Sequence, residues 1–157
     1  MAKKTNAMRL LDKNKLTYRV LEYKVDEENL DAVHVAQSVG MPPGQVFKTL
    51  VARGDKTDVV VAVIPGDEEL DLKALARESG NKSVAMLPLK EVLPVTGYVR
   101  GGVSPLGMKK TYPTYVDEKA KNWQEISISA GQRGYQIIMA PEELIKVVQG
   151  AKFVQIS

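Results

Sequence analysis

Cysteine is absent from all 157 residues of the chain. A disulfide framework, thiolate metal ligation and a protein thiol nucleophile are excluded in one step. Histidine occurs once, at His34. That removes the ordinary serine–histidine triad and argues against a transition-metal site. His34 itself sits beside the apolar stripe of a helical pattern and reads as structural. Aromatics are scarce, with a single tryptophan, Trp123, so the chain offers no stacking platform of the kind that holds single-stranded nucleic acid. No apolar run approaches membrane-spanning length, and the longest, Val59 to Ile64, is strand-sized. The opening Met1-Ala2-Lys3-Lys4-Thr5 carries charge without the apolar stretch of a secretion signal. A cytoplasmic protein is expected. The acidic residues are dispersed, and no carboxylate pair stands out as a glycosidase couple.

What remains is an ordinary globular composition, 44% hydrophobic and 26% charged, and one domain is expected over residues 1–157. The net charge of +3 is a mild basic bias that points only weakly to nucleic acid. Lysines gather at Lys3-Lys4, at Lys13 and Lys15, and at Lys109-Lys110. A solvated face explains the first two groups at least as well as phosphate contacts do.

Helical and extended patterns alternate without a long linker. Thr5 can cap a helix that turns Ala7, Met8 and Leu11 inward, and Thr17 to Tyr23 reads as a strand. Asp31 caps a helix with Ala32, Val35, Ala36 and Val39 on one face, stopped by Gly40. Val46 to Arg53 and Asp58 to Ile64 form a β-hairpin through Gly54-Asp55-Lys56-Thr57. Asp71 opens a helix with Leu72, Leu75 and Ala76 inward, Lys82 to Met86 is a short strand, and Leu89 to Leu93 is a helical turn or two ended by Pro94. Strands follow at Thr114–Val116, Ile126–Ser129 and Tyr135–Met139, the last two joined by Gly131-Gln132-Arg133-Gly134. Pro141 starts a final helix with Leu144, Val147 and Val148 inward, Gly150 ends it, and Lys152 to Ile156 adds an edge strand. Together they describe an α+β fold around a mostly antiparallel sheet or barrel.

Three places could carry chemistry. Lys48 lies in Val46-Phe47-Lys48-Thr49-Leu50-Val51, where strand alternation puts it on one face with Val46 and Leu50. An ammonium on an apolar face needs a reason. It is either an edge lysine with its head in water, or a cation in a cleft that binds phosphate, carboxylate or a developing oxyanion. The second place is Gly97-Tyr98-Val99-Arg100-Gly101-Gly102-Val103-Ser104-Pro105-Leu106-Gly107. Its glycines allow backbone amides to converge on an oxygen, and their density exceeds what a plain connection requires. The loop matches neither a Walker loop nor a dinucleotide fingerprint. The third is the Ser129–Gly134 turn, where Ser129 and Gly131 are candidate pocket residues and Gln132 is read as part of the turn.

At Phe47-Lys48-Thr49-Leu50, at the glycine loop and at Ser129 to Gly134, the chain resembles the YbaK/EbsC family. These are small tRNA-editing deacylases related to the insertion domain of bacterial prolyl-tRNA synthetases. The likeness runs over nearly the whole chain, and the first two motifs together are a fairly specific match. It implies a mixed, mostly antiparallel barrel-like sheet flanked by helices, and an enzyme that clears cysteine from proline tRNA without cofactor or metal. It implies that Lys48 is needed for activity. It also implies that Tyr18, Thr49, Gly101, Gly102, Ser104, Pro105, Ser129 and Gly131 bind the aminoacyl 3′ end of the tRNA. Ala130 stands where many relatives have glycine, and Met108 where glutamine is common; neither change removes a reactive group.

The resemblance fits the absences. A protein with no thiol, triad or metal must borrow its nucleophile, and a cysteinyl ester carries one. The enzyme then orients the ester and steadies its charge. An ordinary lysine is a cation at neutral pH and suits that task better than proton abstraction. Prolyl-tRNA synthetase is the expected partner. Alanyl-tRNA(Pro) editing with water as nucleophile, and a non-catalytic module that binds tRNA or a synthetase, are the alternatives.

Overall fold

The computed structural model describes residues 4–157; Met1, Ala2 and Lys3, and with Lys3 one half of the first lysine pair, lie outside the described residues. Short polar side chains set the helix starts. Thr5, Asp31 and Asp71 have extended backbone and accept a hydrogen bond from the amide three residues on, those of Met8, His34 and Ala74. They open α1 (Asn6–Lys13), α2 (Ala32–Val39) and α3 (Leu72–Ser79), and Gly40 and Gly80 end the latter two. Leu72 heads the inward stripe of α3, yet at the helix's first position it is 38% exposed.

The fourth helix departs from the sequence expectation. α4 (Leu89–Thr96) runs through Pro94 and ends at Gly97. Proline lacks the amide that would reach the Lys90 carbonyl, and Lys90 lies on the exposed side of the helix. α5 (Pro141–Val147) starts on its proline as expected but closes at Val148, short of Gly150.

The strands form two sheets. β1 (Arg19–Glu22), β6 (Ile126–Ser129) and β7 (Tyr135–Met139) make an antiparallel sheet in the order β1-β7-β6. The larger sheet takes β2 (Phe47–Gly54), β3 (Asp58–Pro65), β4 (Val84–Met86), β5 (Thr114–Asp117) and β8 (Lys152–Val154) in the order β4-β2-β3-β5-β8. Its β4, β2 and β3 pair antiparallel, whereas β3–β5 and β5–β8 are parallel. The fold is therefore α+β with mixed, mostly antiparallel sheets flanked by helices. The expected barrel is not closed. The sheets meet at one parallel bridge between Val46 and Ser127, too little pairing to fuse them.

β3 explains the unbroken apolar run. Val61 and Val63 face a cluster with Met8, Leu11, Ile126, Ile137 and Leu144, while Val60, Ala62 and Ile64 face Leu75 and Ile156. A strand covered on both faces has no polar side to show. The hairpin that carries it is tied to α3 by Asn81. Its Oδ1 accepts from the Lys56 and Thr57 amides at 2.8 and 3.0 Å, and its Nδ2 donates to Thr57 Oγ1 and Ser79 Oγ. Asn81→Ala is expected to lower the unfolding free energy by about 1–2 kcal/mol, because it removes the acceptor of two part-buried amides. Urea denaturation monitored by circular dichroism checks this. Among the described residues, no helix is long and apolar enough to cross a membrane.

Candidate active site

The site begins with β2. Phe47 packs into the main core cluster, whereas Val46 and Leu50 pack into two others, as alternation along a strand requires. Lys48 stands between these last two, half-buried, and its Nζ donates to the Gly66 carbonyl at 3.3 Å. Gly66 follows the end of β3 and carries its antiparallel pairing with the β2 side one residue further, donating its amide to Val46 O at 2.7 Å. A Cβ on Gly66 would stand 2.6 Å from Val46 O and 2.7 Å from Ala32 Cβ. Only glycine leaves room for that close approach.

Beside Lys48 opens a cavity of about 410 Å³. Lys48 and Thr49 line it from β2, Asp31 from the start of α2, Arg100 and Gly101 from the glycine loop, and Ser129 and Gln136 from the smaller sheet. Leu50, Leu87, Val92 and Val103 supply apolar wall. Lys48, Thr49, Gly101 and Ser129 are thus brought together on one hollow.

The other sequence candidates are placed elsewhere. Tyr18 precedes β1 and donates its hydroxyl to Asp12 Oδ1 at 2.9 Å, and burial, followed by Asp12, pushes that hydroxyl up to about 12. Tyr23, not Tyr18, packs with Val35 and Val46, two residues that line the cavity. Ser104 is buried and its Oγ accepts from the Leu106 amide at 3.2 Å, while Pro105 faces a second, smaller hollow of about 290 Å³. Gly102 lies against the Gln132–Arg133 backbone, with 3.2 Å from a Cβ to Arg133 N. Gly131, at φ 92°, lies on Tyr98, whose Cε1 would be 2.7 Å from a Cβ.

Tyr98 gives the reason for these placements. Its ring is buried and its hydroxyl donates to Leu106 O at 2.6 Å, so residues 97–107 wind around it and the 131–134 turn rests on top. The glycines serve loop-on-loop packing. Of the paired glycines only Gly101 turns toward the cavity.

Three lining residues carry polar chemistry that the sequence reading did not assign. Gln136 is 4% exposed, its Oε1 accepts from Ser127 Oγ at 2.7 Å, and its amide nitrogen has no acceptor among the described residues. A lone amide in an otherwise apolar strand was the signal for it. Arg100 was read only as part of the loop. Asp31 was read only as a cap; its carboxyl is held below the ordinary value by the His34 amide, with the His34 ring and the Lys48 charge adding to that against burial. Thr49 Oγ1 is buried without a partner among the described residues. Among the described residues, no three His, Cys, Asp or Glu side chains are grouped to hold a metal ion. The hollow therefore offers cations, one carboxylate and spare hydrogen-bonding groups between apolar walls. Such a setting can orient a polar ester and stabilise charge on its carbonyl.

The sequence profile of the aminoacyl-tRNA editing domain matches residues 26–147, which include every lining residue named above. The chain belongs to this family. It is 52% identical over 147 residues to EbsC of Enterococcus faecalis, a candidate Cys-tRNA(Pro)/Cys-tRNA(Cys) deacylase, covering 94% of this chain and 90% of that protein. It is 28% identical over 120 residues to the proline–tRNA ligase of Shouchella clausii, covering 76% of this chain and 21% of the ligase. Among solved structures, a candidate trans-editing enzyme for prolyl tRNA synthetase superposes with a TM-score of 0.83 at 27% identity, covering 99% of both chains. The editing domain's sheets-and-helices architecture is the one seen here.

Proposed function

We propose that the protein is a trans-acting deacylase of mischarged tRNA, with cysteinyl-tRNA(Pro) as its preferred substrate. The observation that carries this reading is the shared hollow of Lys48 and Gly101, which holds a cation and polar groups but no protein thiol or histidine among its lining residues. The likeness to EbsC supports cysteine as the acyl group, and the likeness to a segment of proline–tRNA ligase supports proline tRNA as the carrier.

In this reading the 3′-terminal aminoacyl ester enters the hollow with its carbonyl toward Lys48. The substrate's thiol attacks that carbonyl: a carbon–sulfur bond forms, the bond to the ribose oxygen breaks, and the thiol proton ends on that oxygen. Lys48 stabilises the intervening oxyanion, and Thr49, Gly101 and Ser129 position the ester. Tyr18, Gly102, Ser104, Pro105 and Gly131 do not line the hollow, and the proposal gives them no part in holding the ester. The modest charge of +3 gives a weak grip on a whole tRNA, so prolyl-tRNA synthetase, in the cytoplasm, is the proposed partner that delivers it.

A deacylation panel of cysteinyl-, alanyl-, seryl- and prolyl-tRNA tests the reading. Release of cysteine at least tenfold faster than alanine or serine is expected. Equal rates for all would make water the nucleophile, fast alanine release would move the substrate to alanyl-tRNA(Pro), and binding without turnover would make the protein a non-catalytic module.

A further inference from the structure

Lys48 and Arg100 both line the hollow, and the substrate proposed above brings a third positive charge. An α-amino group titrates near 8 in water, so at neutral pH it is largely an ammonium. Two cations close to it would oppose entry unless an anion offsets them. Among the described lining residues one carboxylate is present, Asp31. Its Oδ1 is committed on two sides, accepting from the His34 amide at 2.9 Å and standing 2.6 Å from His34 Nδ1. Its Oδ2 accepts nothing among the described residues. The Lys48 charge is among the influences that hold the Asp31 carboxyl below its ordinary value, as two groups lining one hollow allow. In an amino-acid ester the ammonium sits one carbon from the carbonyl. A carboxylate and an ammonium on neighbouring walls of one hollow match that pair of groups in complementary order.

We infer that Asp31 is a specificity-determining residue that binds the free α-ammonium of the substrate through Oδ2, so that the hollow selects aminoacyl esters whose amino group is unblocked. This rests on the deacylase reading. It adds a requirement that neither the thiol nor the tRNA imposes. N-blocked esters, such as N-acylated aminoacyl-tRNA or the growing peptide on a tRNA, would be excluded by their missing charge.

Asp31→Asn separates the role from the fold, because asparagine caps a helix as well as aspartate does and α2 keeps its start. Asp31→Ser, another good cap, serves as the second variant, and thermal unfolding verifies both. Cysteinyl-tRNA and N-acetylcysteinyl-tRNA are compared with each protein by kcat/KM, and spontaneous hydrolysis is subtracted. Acetylation changes the ester's own reactivity, so the informative quantity is the free-to-acetylated ratio in the variant relative to the wild type. That ratio is expected to fall about 10- to 100-fold in both variants, as suits loss of one charge-assisted hydrogen bond. A ratio unchanged by both substitutions overturns the assignment while leaving the deacylase reading standing. Failure of the wild type to release cysteine at all removes that reading and this one with it.

Discussion

Lys48→Ala should lose cysteinyl-tRNA deacylation by about 100- to 1,000-fold in kcat/KM while the protein stays folded, as expected when one pre-placed stabiliser of an oxyanion is removed. The two halves of that expectation have separate causes. The side chain's one hydrogen bond among the described residues, to Gly66 O at 3.3 Å, is longer than a good N–H···O contact, so its loss costs little stability. The ammonium itself, however, lines the hollow where the ester carbonyl is proposed to sit. Lys48→Arg keeps the charge but spreads it over a planar fork, and should recover only part of the rate. Single-turnover release of labelled cysteine, with circular dichroism of each variant, makes the comparison. Wild-type rates in the alanine variant would remove Lys48 from the chemistry.

Gly66→Ala should damage stability and activity together. The added methyl would stand 2.6 Å from a main-chain oxygen and 2.7 Å from Ala32 Cβ, and neither neighbour is the loose end of a flexible side chain. Relief requires the end of β3 to lift off β2 or α2 to shift. The first moves the acceptor of Lys48, and the second moves Asp31. Overpacking of this severity is expected to cost about 3 kcal/mol, or roughly 6–12 °C of melting temperature for a chain of this size. Scanning calorimetry measures it, and an unchanged midpoint would show that the close approach is looser than the distances indicate.

Local signals were legible in the sequence. Thr5, Asp31 and Asp71 cap within three residues, and the 54–57 turn joins strands adjacent in the chain, so each could be read from a short window. The parallel pairing of β5 with β3 and β8 joins segments far apart, and no window contains it. Pro94 misled because proline usually ends a helix, yet α4 continues through it for two more residues to the Gly97 stop.

The site divides along the same line. Lys48 was visible as a charge among apolar neighbours. Asp31 was hidden because capping already accounted for it. Gly102 and Gly131 pointed to amide chemistry, whereas their actual reason, close approach to the 132–133 backbone and to Tyr98, depends on a neighbour more than twenty residues away in each case. Tyr18 and Tyr23 are five positions apart, so along an extended chain they face opposite ways; the resemblance pointed to Tyr18, whereas Tyr23 packs with two residues that line the hollow.

The bridge between Val46 and Ser127 is the place where main-chain pairing joins the two sheets. Its two strands run parallel, and two residues beyond it on either side stand Lys48 and Ser129, one on each jaw. The spacing of these two walls is held by that main-chain pairing together with Phe47, Ile126 and Ile128, which the two sheets bury in one shared cluster. A substitution at Ser127, which pairs there but does not line the hollow, is expected to alter which side chains fit without changing any group they touch.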